Sequence, residues 1–251
     1  MTAQPEIRLA RVSKWFARPG AQEPFRAVEG LDLEIARGEM VALLGKTGCG
    51  KSTTFNLIAG LMAPSQGTVR VQGLDPFRDF DALRGKIAVV FQSDRLLPWR
   101  SVCQNVELGL EMLDRPAKER REVAQLWLVR LGLSGHEQDF PYALSGGMRQ
   151  RVSIARALAT DASILLCDEP FSALDEITGQ RLREDFAALV RENHKTAVFI
   201  THSINEALQI GDRVIVMTRP ARIAYDVRLA PGMRAGPDGA IRARIQEILA
   251  A

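Results

Sequence analysis

The sequence predicts an α/β fold built on a parallel sheet, and three observations carry that prediction. Short apolar runs of strand length, "MVALLG", "IAVVF" and "ILLC" among them, alternate with helical patterns, as crossover connections require. A glycine-rich turn, "GKTGCGKST", stands between an apolar strand and the helical segment "STTFNLIAGL". Between Gln92 and Asp161 the strand signal stops, and helical patterns take over for about seventy residues, which reads as an insertion within the α/β core.

Taken in order, strands are predicted at residues 6–12, 26–35, 40–45, 68–73, 86–91, 163–168, 196–201, 213–218 and 222–229. "LDLEI" alternates apolar and polar residues, as a strand wet on one face does. The uniformly apolar "MVALLG" that follows the turn at Gly38 reads as buried on both faces. The inserted block holds helical patterns in "SVCQNVELGLEML", in "KERREVAQLWLVRLGL" and in the run after Ser145. At the end, "IRARIQEILA" places Ile241, Ile245 and Ile248 on one helical face after the Gly/Pro-rich "APGMRAGPDG".

Composition narrows the function classes. With 46% hydrophobic and 25% charged residues, the 251-residue chain has material for one or two globular domains. No apolar run approaches the roughly 20 residues that span a bilayer. "MTAQPEIRLA" lacks a basic region followed by an apolar stretch, so a cytoplasmic compartment is expected. Cys49, Cys103 and Cys167 cannot all pair and lack metal-ligand spacing, which fits reduced thiols. A net charge of +3 without a basic block gives no nucleic-acid footprint.

The chemistry begins at Gly45, Lys46, Thr47, Gly48, Cys49, Gly50, Lys51, Ser52 and Thr53, which match Gly, four residues, Gly-Lys-Ser/Thr. Glycines let the backbone wrap a phosphate, and the amides of the following helix point at its charge. Lys51 is expected to reach the β- and γ-phosphates and Ser52 to ligand Mg²⁺. Cys49, inside the loop, is either a small filler or a thiol made reactive by the helix N-terminus. "SILLCDEP" then ends an apolar strand in two acids. Asp168 is expected to hold Mg²⁺ through its water shell, and Glu169 to polarise the attacking water. In "LSGGMRQRVSIARAL", Ser145, Gly146 and Gly147 open a helix striped by Val152, Ala155 and Leu158. That is a phosphate-binding helix start without its own lysine or acid, half of a site.

With these motifs in order, the chain resembles the ATP-binding cassette (ABC) ATPases over nearly its whole length: "LSGGMRQR" is similar to the family signature and "ILLCDEP" to its Walker B segment. The resemblance implies a P-loop NTPase (RecA-like) core with an N-terminal antiparallel β subdomain and an inserted helical signature subdomain. A single ABC ATPase domain is expected. Residues 1–92 and 161–230 would form the nucleotide-binding core with its β subdomain, 93–160 the helical subdomain, and 231–251 a helical tail. Gln92 resembles the Q-loop glutamine that senses Mg²⁺ and water, and His202 the switch histidine that contacts the γ-phosphate. Ser172 to Asp175, "SALD", resembles the D-loop of the dimer interface. Phe16 holds the aromatic position that stacks on adenine, with neighbouring Trp15 the alternative. The implied catalytic set is Glu169, His202, Gln92 and Lys51. Two copies would bind two ATP molecules head to tail, each held by one phosphate loop and the partner's Ser145 and Gly147, which accounts for the half-site.

"FQSDRLLPWRSVCQNV" further resembles the nitrate, sulfonate and taurine importer group. In that reading Leu97 and Trp99 anchor a coupling segment of a separate membrane subunit, on an exposed apolar surface suited to docking. The other reading folds the loop back onto the helical subdomain. The function implied is uptake of a small anion, with permease subunits, an external substrate-binding protein and a position peripheral to the inner membrane's cytoplasmic face. A soluble cassette acting on DNA or ribosomes would show a coiled-coil arm, a tandem cassette or a basic strip, and none is visible. An exporter is separated from an importer only by the group resemblance.

Overall fold

The computed structural model describes residues 4–20, 23–172, 176–229 and 239–250, with the backbone alone at 176–178. The elements begin β1 (Ile7–Phe16), β2 (Phe25–Ile35), β3 (Met40–Leu44), α1 (Lys51–Ile58) and β4 (Gln66–Val71). They continue with β5 (Ile87–Val90), α2 (Val102–Met112), α3 (Ala117–Arg130), α4 (Gly146–Ala159), β6 (Ile164–Asp168) and α5 (Glu176–Glu192). The chain closes with β7 (Thr196–Thr201), α6 (Ile204–Ile210), β8 (Arg213–Thr218), β9 (Arg222–Arg228) and α7 (Gly239–Ala250). All nine predicted strands are present, and among the described residues only helices and irregular segments lie between Gln92 and Asp161. Two compact units result: Met1–Leu83 with Val190–Ala251, and Arg84–Leu189.

In the first unit, β2, β1 and β4 form an antiparallel sheet in that order. Ile7 pairs with Ile35 on one side and Val71 on the other, and all three are buried. The polar partners of the alternation, Asp32 and Glu34, face outward, as "LDLEI" predicts. β1 runs four residues past its predicted end. Its register shifts between Leu9 and Trp15, and Arg11 sits at φ 48°, so bulges break the period-2 pattern that sequence reading relies on.

The same unit holds β3 between parallel neighbours β7 and β8, with β9 antiparallel at the outer side of β8. All five residues of β3 are buried, which is what an all-apolar run becomes when both faces are covered. Arg213 fixes this edge: its guanidinium grips Asp226 with bonds of 2.7 and 2.6 Å and also donates to the Glu34 carbonyl at 2.7 Å. The bond to Asp226 raises its pKa above the ordinary guanidinium value despite burial. α7 buries Ile245 and half-buries Ile241 and Ile248, the three residues predicted to share a face.

The second unit pairs β5 with β6 in parallel, Ile87 opposite Ile164. α2 starts with a capping box in which Ser101 and Gln104 satisfy each other's backbone N–H. α2 packs against α3 and α4. It approaches so closely that a Cβ on Gly109 would lie 2.5 Å from the Thr160 methyl. α3 buries Ala124, Trp127 and Leu128, and α4 buries Val152, Ala155 and Leu158, each set at helical spacing. Phe171 meets Phe186 of α5 edge to face at 5.6 Å. Among the described residues no helix is long and apolar enough to cross a membrane.

Candidate nucleotide site and docking segment

The phosphate loop is shaped by backbone. Gly48 (φ 79°) and Gly50 (φ 107°) occupy left-handed conformations that side chains resist. A Cβ on Gly50 would also fall 2.4 Å from the Ala27 carbonyl oxygen. α1 starts directly after Gly50 with no side-chain cap and no acid in its first turn, so its amides are left for an anion. Lys51 is buried, and its Nζ donates to the carbonyls of Gly45 (2.6 Å) and Lys46 (3.1 Å) with the Cys49 thiol 3.9 Å away. A buried ammonium held by neutral groups lacks a counter-charge, and a phosphate supplies one. The residues therefore fit a nucleotide. Lys46, Thr47 and Ser52 are exposed, while Thr53 is half-buried. Cys49 is 3% exposed and packs under Gly45, the filler arrangement.

Trp15 and Phe16 are equally exposed, at 36% and 37%, but face opposite ways. Lys14 Nζ lies 5.4 Å from the Phe16 ring centroid, whereas Trp15 lines a cavity of about 460 Å³ with Ser13, Arg26 and Gln66. His202, exposed, follows the last residue of β7 and precedes Ser203, whose Oγ caps α6 by accepting from Glu206 N.

The second unit brings Gln92 and Glu169 together. Gln92 Nε2 donates to Glu169 Oε2 at 3.1 Å across 77 positions of sequence. Glu169 sits at φ 46°, a strained backbone for a non-glycine residue, just past Asp168 at the end of β6. Ser172 Oγ donates back to the Glu169 carbonyl at 3.1 Å, which steadies the turn. Asp175, the other expected interface residue, lies outside the described residues. Ser145 is exposed and caps α4, its Oγ accepting from Met148 N at 3.3 Å, and Gly147 is half-buried in the first turn.

The "LLPW" run divides. Leu96 is buried, Leu97 is half-buried, and Trp99 is 71% exposed. Tyr142, 82% exposed, adds a second aromatic on the same unit, stacked on Phe140 at 5.8 Å. Sequence reading missed the residues that hold this loop. Buried Asn105 of α2 accepts from Leu97 N (2.7 Å) and donates toward the carbonyls of Leu97, Arg100 and Ser101. Arg149 and Arg156 of α4 bond Asp94 and Arg95 from 55 to 62 positions away, a separation that leaves no local pattern.

Known proteins resemble this chain in both sequence and fold. Residues 28–172 match the family model described as ABC transporter. The taurine import ATP-binding protein TauB of Yersinia pestis is 43% identical over 209 residues, covering 83% of this chain and 80% of TauB. The bicarbonate transport ATP-binding protein CmpC of Synechococcus elongatus is 42% identical over 215 residues; the match covers 84% of this chain but 32% of CmpC. Among solved structures, the dimeric post-hydrolysis state of the ATP-binding cassette MJ0796, bound to ADP and Pi, aligns with a TM-score of 0.80 at 35% identity. It covers 90% of this chain and 99% of that one.

Proposed function

This chain belongs to the ABC transporter family as an ATP-binding ATPase subunit, and we propose that it couples ATP binding and hydrolysis to uptake of a small anion. The observation that carries this reading is the bond from Gln92 to Glu169, because it ties the loop that leads to Trp99 to the acid we assign to hydrolysis. Taurine import and bicarbonate transport are the activities named for two relatives. They support an anion such as nitrate, a sulfonate, taurine or bicarbonate as the cargo.

In this proposal the adenine stacks on Phe16 and the phosphates lie on the amides of residues 45–53. Lys51 exchanges its carbonyl partners for β- and γ-phosphate oxygens. The Ser52 hydroxyl and the Asp168 carboxylate are hard oxygen donors that would hold Mg²⁺, and the Gln92 amide oxygen would be a third. That ion neutralises charge on the phosphate oxygens when bound. Glu169 orients and polarises the attacking water, Gln92 holds the Glu169 carboxylate in place, and His202 contacts the γ-phosphate. Ser145 and Gly147 complete the partner copy's site in a head-to-tail homodimer, with Ser172 and Asp175 at that interface. Trp99 and Leu97 meet permease subunits at the cytoplasmic face of the membrane, and an external binding protein delivers the cargo. We also propose residues 93–160 as the helical subdomain and 231–251 as the tail.

The test is Glu169→Gln. Its ATPase rate is expected to fall on the order of 10²- to 10⁴-fold while ATP binding, read by fluorescent nucleotide titration, stays near the parent value. Retained turnover would remove Glu169 from its role.

A further inference from the structure

The segment after Gln92 is held by bonds that the hydrolytic chemistry does not require. Asp94 Oδ1 accepts from Leu96 N at 3.2 Å, and Oδ2 accepts from Arg149 Nε at 2.9 Å. The same guanidinium donates through Nη1 to the carbonyl of Leu144 at 2.8 Å, and Leu144 immediately precedes Ser145. Two turns along α4, Arg156 donates to the carbonyls of Asp94 (2.7 Å) and Arg95 (2.9 Å). Burial lowers the pKa of Arg156 from the usual guanidinium value while nearby Asp94 opposes the shift, as befits a cation enclosed by its acceptors. The far end of the loop is pinned separately, Leu97 to Asn105 of α2.

Three physical consequences follow. The loop is fixed at both ends, so residues 94–97 move as a body with the helices that hold them. The Asp94–Arg149 pair is partly shielded, with side chains 29% and 36% exposed, so it is screened less than a surface ion pair. Arg149 holds the loop and the Leu144 carbonyl with one planar group, so a shift of one displaces the other.

We propose that Asp94 and Arg149 form a positioning pair that sets the presentation of Ser145 according to the position of the loop carrying Gln92 and Trp99. A push on the docking segment is thereby delivered to the residue that faces the partner copy's nucleotide. Neither residue touches ATP; both act through Ser145. The inference rests on the head-to-tail reading given above and adds to it the path by which docking and nucleotide closure sense each other.

The experiment uses the full chain in the Glu169→Gln background, where Mg²⁺-ATP is bound but not turned over, and follows dimer formation by analytical ultracentrifugation across ATP concentrations. Asp94→Ala and Arg149→Gln are expected to raise the ATP concentration needed for half-dimerisation about tenfold, within the 5- to 150-fold range typical of coupling between sites. Fluorescent-nucleotide affinity of the monomer and the melting temperature are expected to stay near parent values. The double variant is expected to cost no more than Arg149→Gln alone. Ser145→Arg is the control. If Ser145→Arg blocks dimerisation while Asp94→Ala dimerises like the parent, the positioning pair is overturned and the head-to-tail reading stands. Fully additive effects, or losses that track melting temperature, overturn the pair as well and leave a structural role. If Ser145→Arg dimerises normally, the head-to-tail reading fails and takes the inference with it.

Discussion

The loop from Gly45 to Thr53 and the loop from Gln92 to Trp99 are shaped by opposite means. The first is a backbone object: its form comes from left-handed glycines and from the carbonyls that cradle Lys51. The second is held by side chains from elsewhere, Arg149 and Arg156 on α4 and Asn105 on α2. A backbone-made loop tolerates few residues at its tight positions, so it writes a pattern into sequence. A loop held from outside constrains residues far away in the chain, and of its own side chains Asp94 is the one that enters these ties, too little to write a local pattern.

Substitutions can break that contrast. The largest stability effect is expected at Gly50, where an alanine meets both a forbidden φ and the Ala27 carbonyl 2.4 Å from its Cβ. Gly50→Ala is expected to cost about 2–4 kcal/mol in denaturant unfolding and to abolish nucleotide binding. Gly48→Ala, with nothing within 4 Å of its Cβ, should cost only about 1 kcal/mol, the backbone part alone. Equal costs at the two positions would mean that the clash is relieved by movement of β2.

A smaller loss is expected for Asn105→Ala, which leaves the Leu97 N–H and three carbonyls to other partners. About 2 kcal/mol of stability should go, with little change in nucleotide affinity. If nucleotide affinity fell in parallel, the second loop would be as much a part of the cradle as the first.

The smallest effect concerns Cys103 of α2, the helix that also carries Asn105. Burial and its bond to Glu107 push this thiol up to about 12. At pH 8 its thiolate fraction is then on the order of 10⁻⁴, so alkylation of the folded chain should be far slower than that of an exposed thiol. Because the folded-state value is raised, the stabilisation tied to this thiol is full below its ordinary value of 9.0 and fades as pH climbs toward 12. Fast labelling at neutral pH would reveal local opening of the loop's support.

How much was legible follows from the same contrast. Strand positions were readable because alternation and full burial both mark sequence directly; the end of β1 was not, because its bulges scramble the period. Lys51, Ser52, Asp168 and Glu169 stood out because glycine geometry and strand ends place them locally. The tie from Asp94 to Arg149 spans 55 positions, and an Asp and an Arg so far apart look like any two surface charges. The apolar "LLPW" gave no means of dividing buried Leu96 from exposed Trp99, since burial is decided by tertiary neighbours that the run does not encode.

Glu169 places chemistry and backbone preference in opposition. At φ 46° a glycine would relax the turn, yet glycine has no carboxylate. If the acid serves as proposed above, Glu169→Gly is expected to steady the fold and to cost turnover together. A laboratory selection of variants scored only on heat resistance is expected to collect Glu169→Gly, and one scored on ATP turnover is expected to discard it.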